Sequence, residues 1–282
     1  MTILEPVNSI RTDPASKWSF SKLLKKWWGY PPSKDIDVNH AHAVGIHYQI
    51  IQSKPLLKDI YLKWYREFLP AYQETTHLQA EALELGCGPS VIEEVLPAVR
   101  KTDVVKTSIT EHVVNAMKLD AKDEQYRALF MVDAFHHISE PSKFLREAAR
   151  CLKPGGRLVM VEPNNGFVIR WMSKITDHFE YFDDRVTEWK NESQDRMTRA
   201  NMALAWVVFV RDRKRFERKY PSLKIINIRY HSFISYFVTG GMGYRPFLPS
   251  FAQPFVDLIE WIVRPWMRWL GSSMTIDIEK IS

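Results

Sequence analysis

The stretch Ala82-Leu83-Glu84-Leu85-Gly86-Cys87-Gly88-Pro89-Ser90 constrains the fold of this chain most. A short apolar run leads into two glycines separated by a single residue. That order fits a buried strand ending in a turn where the backbone approaches a ligand, because glycine lacks a Cβ and takes positive φ freely. Val91-Ile92-Glu93-Glu94-Val95-Leu96 then predicts a helix beginning near Ser90. Strand, glycine turn and helix open a nucleotide-binding α/β unit, although glycine turns also close ordinary βα loops.

The segments that follow alternate in the same sense. Residues 99–105 predict a second strand with Asp103 towards its end, 115–121 a third at a sheet edge, and 128–132 a strand buried on both faces. Residues 141–152 predict an amphipathic helix stopped by Lys153-Pro154-Gly155-Gly156, and 157–163 the next strand. Alternation of this kind implies a parallel sheet with right-handed crossovers. It lapses over residues 164–220, which read as a helical, aromatic and basic insertion covering a substrate site. Strand signal returns at 223–230 and again at 274–281, on either side of an apolar, Trp-rich helix over 254–270. Upstream of the core, residues 40–72 carry helical spacing and predict a lid. The domain reading is a helical N-terminal extension over 1–75, an α/β core over 76–163, the insertion over 164–220, and a C-terminal completion of the sheet over 221–282.

Composition narrows the class. The 282 residues contain two cysteines, Cys87 and Cys151, which make neither a disulfide framework nor a metal cluster, so a reducing cytoplasm is expected. Residues 1–14 lack a basic start followed by an apolar run, and no apolar segment reaches the roughly 20 residues that span a bilayer. The net charge of +6 is unevenly placed. Arg211, Arg213, Lys214, Arg215, Arg218 and Lys219 form one basic set, and lysines alternate with Trp18, Trp27 and Trp28 in another. The second set, with Trp261, Arg264, Trp266, Arg268 and Trp269, leaves two readings open, packing against the protein's own body or peripheral contact with the inner face of a membrane. His40, His42 and His47 lie close together without a cysteine or carboxylate at matching spacing, so no metal site is expected.

The glycine turn argues against a dinucleotide. A pyrophosphate-binding turn wants a third glycine where Val91 stands. Asp103, at a strand end, is placed to accept hydrogen bonds from ribose hydroxyls, so a ligand with a ribose and no phosphates fits better. Five motifs in order then resemble the class I S-adenosylmethionine-dependent methyltransferases. They are Glu84-Leu85-Gly86-Cys87-Gly88, Asp103, Asp120-Ala121, Asp133-Ala134-Phe135-His136-His137-Ile138, and Leu152-Lys153-Pro154-Gly155-Gly156-Arg157-Leu158. The resemblance implies a Rossmann-like, seven-stranded, mostly parallel sheet with an antiparallel last strand.

It also implies a role for each matched residue. Gly86, Cys87 and Gly88 would pass beside the methionine part of S-adenosylmethionine, and Glu84 would lie near its ammonium group. Asp103 would bind the ribose, Asp120 and the Ala121 amide the adenine, and Asp133 would border the reaction centre. His136 and His137 are the first candidates for a general base, with His178 and Glu180 of the insertion behind them. The acceptor expected is a small or lipid-linked molecule methylated on oxygen or carbon. No nucleic-acid-binding module accompanies the basic stretch, so a nucleic acid is not expected. Two departures motivate an alternative of a different class, a fold-retaining binding or scaffold protein: Ser90 stands where the turn usually has its third glycine, and residues 122–126 are short and polar. Residues 104–114 are likewise too short for a full crossover helix, which would leave the adenine pocket more open.

Overall fold

The computed structural model describes residues 24–34, 36–175, 180–191 and 200–282. At its centre is one sheet of seven strands. These are β1 (Glu81–Leu85), β2 (Val99–Asp103), β3 (His112–Val113), β4 (Tyr126–Val132), β5 (Leu152–Pro163), β6 (Leu223–His231) and β7 (Ser273–Lys280). Their order is β3-β2-β1-β4-β5-β7-β6. Strands β1 to β5 are mutually parallel, while β7 runs antiparallel to both β5 and β6. The chain steps outward from β1 through β2 to β3 and then returns to the other side of β1 as β4. That reversal leaves a crevice at the carboxyl ends of β1 and β4, the place where open α/β sheets hold ligands.

The period-two alternation of the central strands divides the core in two. Ala128 and Phe130 of β4, with Val159 and Val161 of β5, face α1 (His42–Ser53), α2 (Pro55–Arg66) and α3 (Leu69–Glu74). Leu57, Ile60, Trp64 and Phe68 pack there, and the Phe68 and Phe130 rings stack at 4.8 Å. The helices expected as a lid therefore pack on one face of the sheet, beside Val91, Ile92 and Leu96. Leu129 and Met131, with Leu158 and Met160, face the opposite way towards α4 (Pro141–Cys151). After α5 (Phe167–Ile175), α6 (Leu204–Trp206) runs on through a π-helical turn (Val207–Arg211) to α7 (Arg213–Lys219). Phe135, Phe209 and Phe216 form one ring cluster between this layer and the sheet. The second half of the expected insertion thus occupies the position of a β5–β6 crossover helix. Burying those rings explains its apolar character.

Three local expectations change. After the glycine turn only a 3-10 turn forms, Ile92–Glu94, because Pro89 and Pro97 bracket a run rich in β-branched residues. The third strand is His112–Val113, and 115–118 is a turn closed by the Lys118 amide donating to the Asn115 carbonyl at 2.9 Å. The Trp-rich helix is broken at Pro265 into α9 (Gln253–Val263), a 3-10 turn (Arg264–Trp266) and α10 (Met267–Leu270), after the short α8 (Ser235–Val238). Of the Lys/Trp cluster, 24–28 is helical and the rest lies outside the described residues. No helix among the described residues is long and apolar enough to cross a membrane.

The glycine-rich loop over residues 240–244 is held in place. Buried Lys54 donates from Nζ to the Gly241 carbonyl at 2.7 Å and to the Tyr244 carbonyl. Arg211 and Asp212 pair at 2.8 Å, and Trp189 donates its indole N–H to the same carboxylate. Both are structural contacts.

Candidate functional site

The glycine turn takes the shape its sequence requires. Gly86 and Gly88 have φ of +67° and +48°. A Cβ on Gly86 would lie 2.9 Å from the Ala134 Cβ, whereas one on Gly88 would meet nothing within 4 Å. The turn is therefore closed against β4 on one side and open on the other. Gly86→Ala is expected to cost at least about 1–2 kcal/mol through the left-handed conformation alone, read as a lower denaturation midpoint. Gly88→Ala pays the same backbone term without the clash, so the two variants separate strain from crowding.

Asp103 ties this turn to the end of β2. Its Oδ2 accepts the Gly88 amide at 3.1 Å and its Oδ1 accepts the Val105 amide at 3.1 Å. The Cys87 amide donates to the Thr102 carbonyl at 2.9 Å, and Thr102 Oγ1 donates to the Glu84 carbonyl at 2.6 Å. The Cys87 side chain is buried, and burial first, then Glu84 and Asp103, pushes its thiol well up. It is a packing residue held neutral, not a nucleophile.

Glu84 turns its carboxylate into the protein. Tyr65 of α2 donates to Oε1 at 2.9 Å and Ser90 donates to Oε2 at 2.6 Å. Burial pushes the group up to about 8 against the pull of those two hydrogen bonds. Ser90 also accepts the Ile92 amide at 3.1 Å. The residue that replaces a third glycine therefore secures both the carboxylate and the start of the 3-10 turn.

Asp120 and Ala121 do not join the site. Only a dozen residues separate β3 from β4, and they must descend the full height of the sheet. The segment runs down alongside α4: Ser139 Oγ donates to Met117 Sδ, the Leu119 amide donates to Glu147, and Arg150 donates to the Leu119 and Ala121 carbonyls. Asp120 is exposed and lies near Tyr126, where β4 begins. The residues that follow β3 beside Asp103 are instead Val114, Asn115 and Ala116, with the Val114 amide donating to the Asp103 carbonyl at 2.8 Å.

At the carboxyl end of β4, Asp133 adopts φ +47°, a conformation that side-chain-bearing residues rarely hold without a function or a compensating contact. Its amide donates to the Val161 carbonyl at 2.9 Å. Burial raises its carboxyl to about 7, opposed by His136. Tyr61 of α2 and Tyr236 of α8 interact electrostatically with Asp133, and both phenols are raised, by burial first. Trp64 stacks on Tyr236 at 5.5 Å and fixes that ring.

His136 and His137 form the far wall. Glu162 of β5 is fully buried and organises them. Its Oε1 accepts the Ala134 and Phe135 amides at 2.9 and 2.7 Å, and its Oε2 pairs with His136 Nδ1 at 2.6 Å. Glu180 Oε1 lies 3.5 Å from His136 Nε2 and 3.0 Å from His137 Nε2. Burial alone would pull His136 down, but the charge and hydrogen bond of Glu162, and then Glu180, hold it well above the usual histidine range. Burial would likewise raise Glu180, yet hydrogen bonds from both histidines keep it well below the usual carboxylate range. His137 Nδ1 is buried with no hydrogen-bond partner among the described residues.

The ligand-capable atoms of His136, His137 and Glu180 lie within 4.8 Å of one another. Their hydrogen-bonded spacings fit three groups sharing protons. His178 lies outside the described residues. His40, His42 and His47 stand at the start of α1 and along it, and burial lowers His47.

Sequence reading missed Glu162, Tyr61, Tyr65 and Tyr236. Glu162 carried a signal, being the carboxylate that ends the apolar run of β5. Tyr61 and Tyr65 did not, since an i, i+4 aromatic pair reads as core.

Comparison with known proteins finds one family match and several distant structural likenesses. Residues 83–160 match the family described as methyltransferase domain. Geranyl diphosphate C-methyltransferase from Streptomyces coelicolor A3(2) is similar at 12% identity and TM-score 0.40, over 76% of this chain and 79% of that one. A SAM-dependent methyltransferase from Thermotoga maritima is similar at 14% and 0.42, over 84% and 100%. The [4+2]-cyclase SpnF is similar at 14% and 0.41, over 77% and 80%. At such values these likenesses carry no weight for chemistry or substrate. No curated protein matches the sequence.

Proposed function

We propose that this chain, which matches a methyltransferase domain over residues 83–160, transfers a methyl group from S-adenosylmethionine to an oxygen or carbon atom of a small or lipid-linked acceptor. One observation supports this above the others. An open glycine turn, the buried Asp103 carboxylate and the half-buried Asp133 converge at the carboxyl ends of β1, β2 and β4, where the strand order reverses. The residues fit the cofactor: space beside Gly88 suits a chain passing the turn, and Asp103 suits ribose hydroxyls. Asn115 and Ala116, next along the same edge, take the adenine-facing place that Asp120 and Ala121 do not reach.

The cofactor supplies a sulfonium methyl that is already activated, so the protein's task is alignment, exclusion of water and removal of one proton. Asp133 and the phenols of Tyr61 and Tyr236 border the methyl-transfer position. Glu180, well ionised, accepts the Nε2 proton of His137 and fixes that tautomer. The unpartnered Nδ1 of His137 is then the lone pair that takes the acceptor's proton. His136, held cationic between Glu162 and Glu180, is a positioning residue.

The test uses the full chain with methyl-labelled S-adenosylmethionine and a cell extract separated into polar and lipid fractions. Label is expected in one acceptor class. With His137→Ala, turnover should fall by about 10²–10⁴, as for loss of a general base, with cofactor binding unchanged. Intact cofactor binding without any transfer would favour the fold-retaining binding protein, a reading supported by the missing helix after the glycine turn.

A further inference from the structure

The C-terminal helical segment is built inside out. In α9 the acidic side chains are tied back to the protein: half-exposed Asp257 pairs with Lys63 of α2 at 2.8 Å, and Glu260 accepts the amides of Ile234 and Ser235 at 3.3 and 3.0 Å. Val256 alone in this helix is buried. The apolar side chains face solvent. Phe255, Leu258 and Ile262, at i, i+3 and i+7, are 63%, 50% and 53% exposed, and Trp261 beside them is 69% exposed. Past the break at Pro265 the stripe continues through Trp266 and Trp269, 54% and 61% exposed.

Neighbouring elements extend this surface. Gly166, just before α5, packs so tightly on Gly271 that a Cβ there would lie 2.1 Å from the Gly271 carbonyl oxygen. The exposed Phe167 and Trp171 of α5 are thereby brought to the end of α10. The helical run 24–28 is bonded to Arg245, on the loop leading into α9, through the Trp28 indole and through the Trp28 carbonyl. Lys25, Lys26 and Trp27, all exposed, come with it.

We infer that this face docks on an anionic lipid bilayer, with the tryptophans at headgroup level and the arginines against lipid phosphates. Exposed apolar surface of this extent marks an interaction site rather than ordinary surface. Charge decides the partner. Both acidic residues between 250 and 270 are engaged by the protein, Asp257 being half-exposed but ion-paired with Lys63, and among the described residues the exposed charges of that stretch without an acidic partner are Arg264 and Arg268. A second copy meeting this face about a two-fold axis would set those arginines against each other, whereas an anionic surface attracts them. Aromatic side chains mixed with cations on short helices are the composition of an interfacial segment. This inference does not depend on the methyl-transfer reading.

Flotation of the full chain with vesicles of phosphatidylcholine and phosphatidylglycerol tests it, with tryptophan emission recorded in parallel. The protein is expected to float with the mixed vesicles, to shift its emission to shorter wavelength, and to bind pure phosphatidylcholine more weakly. The double variant Trp261→Ser with Trp269→Ser should lose at least about tenfold in partitioning, with its melting temperature unchanged or raised. Arg264→Glu with Arg268→Glu should lose binding to the anionic vesicles and keep its weak binding to the neutral ones. Two results would overturn the inference. One is wild-type protein that stays in the soluble fraction. The other is a lipid-free dimer that dissociates in the tryptophan variant while vesicle binding stays absent.

Discussion

Glu162→Ala lowers the stability of the folded chain by about 3–5 kcal/mol, the cost of removing one partner from a buried charged pair. The size follows from what Glu162 holds. Three backbone amides and the His136 ring depend on its two oxygens, and all would be left in an environment that water does not reach. Against a typical total of about 5–15 kcal/mol, such a loss leaves little margin. Chemical denaturation measures it. Glu162→Gln is expected to cost less, because an amide oxygen still accepts the backbone N–H groups.

The pH dependence separates the two variants further. The folded protein holds the His136 proton far more tightly than the unfolded chain, where the group titrates near 6.5. Stabilisation from this pair is therefore complete below about pH 6.5 and drains away as pH rises through the raised folded value. Wild-type stability should decline on the alkaline side, and Glu162→Gln should flatten that decline. A decline of equal steepness in both would show that Glu162 does not set the His136 proton affinity.

The second large effect concerns binding. Asp103→Ala is expected to weaken S-adenosylhomocysteine binding by at least tenfold, consistent with about 1.5–3 kcal/mol for hydrogen bonds to a charged group. Part of the loss is indirect, since the Gly88 and Val105 amides lose their acceptor and the glycine turn loosens. Asp103→Asn isolates the direct part. It keeps one oxygen to receive a backbone amide but presents an NH2 group where the second oxygen stood, so an intermediate affinity is expected by calorimetry.

Much of the core was legible because parallel strands buried on both faces show up as short apolar runs, and because Gly86 and Asp103 mark strand ends. The resemblance to the methyltransferases supplied the seven-strand frame, and the strand order bears it out. What could not be read depended on distance in the chain. Asp120-Ala121 looks like a ligand-reading pair in sequence, yet the twelve residues from β3 to β4 carry it away from the carboxyl ends of the strands. Glu162 is 26 residues from His136, and only the pairing of β4 with β5 brings them together. Residues 204–219 read as a cover because they are helical and aromatic, but the same rings fill the core. The outward face of α9 gives the opposite case, where an apolar helix is not core at all.

The central claim, an adenosine-based methyl donor at the carboxyl ends of β1, β2 and β4, is tested most directly by calorimetric titration of the unmodified full chain with S-adenosylhomocysteine. Saturable one-to-one binding that Asp103→Ala weakens at least tenfold is the predicted result. An absence of binding heat across temperatures, with the protein folded throughout, would contradict it.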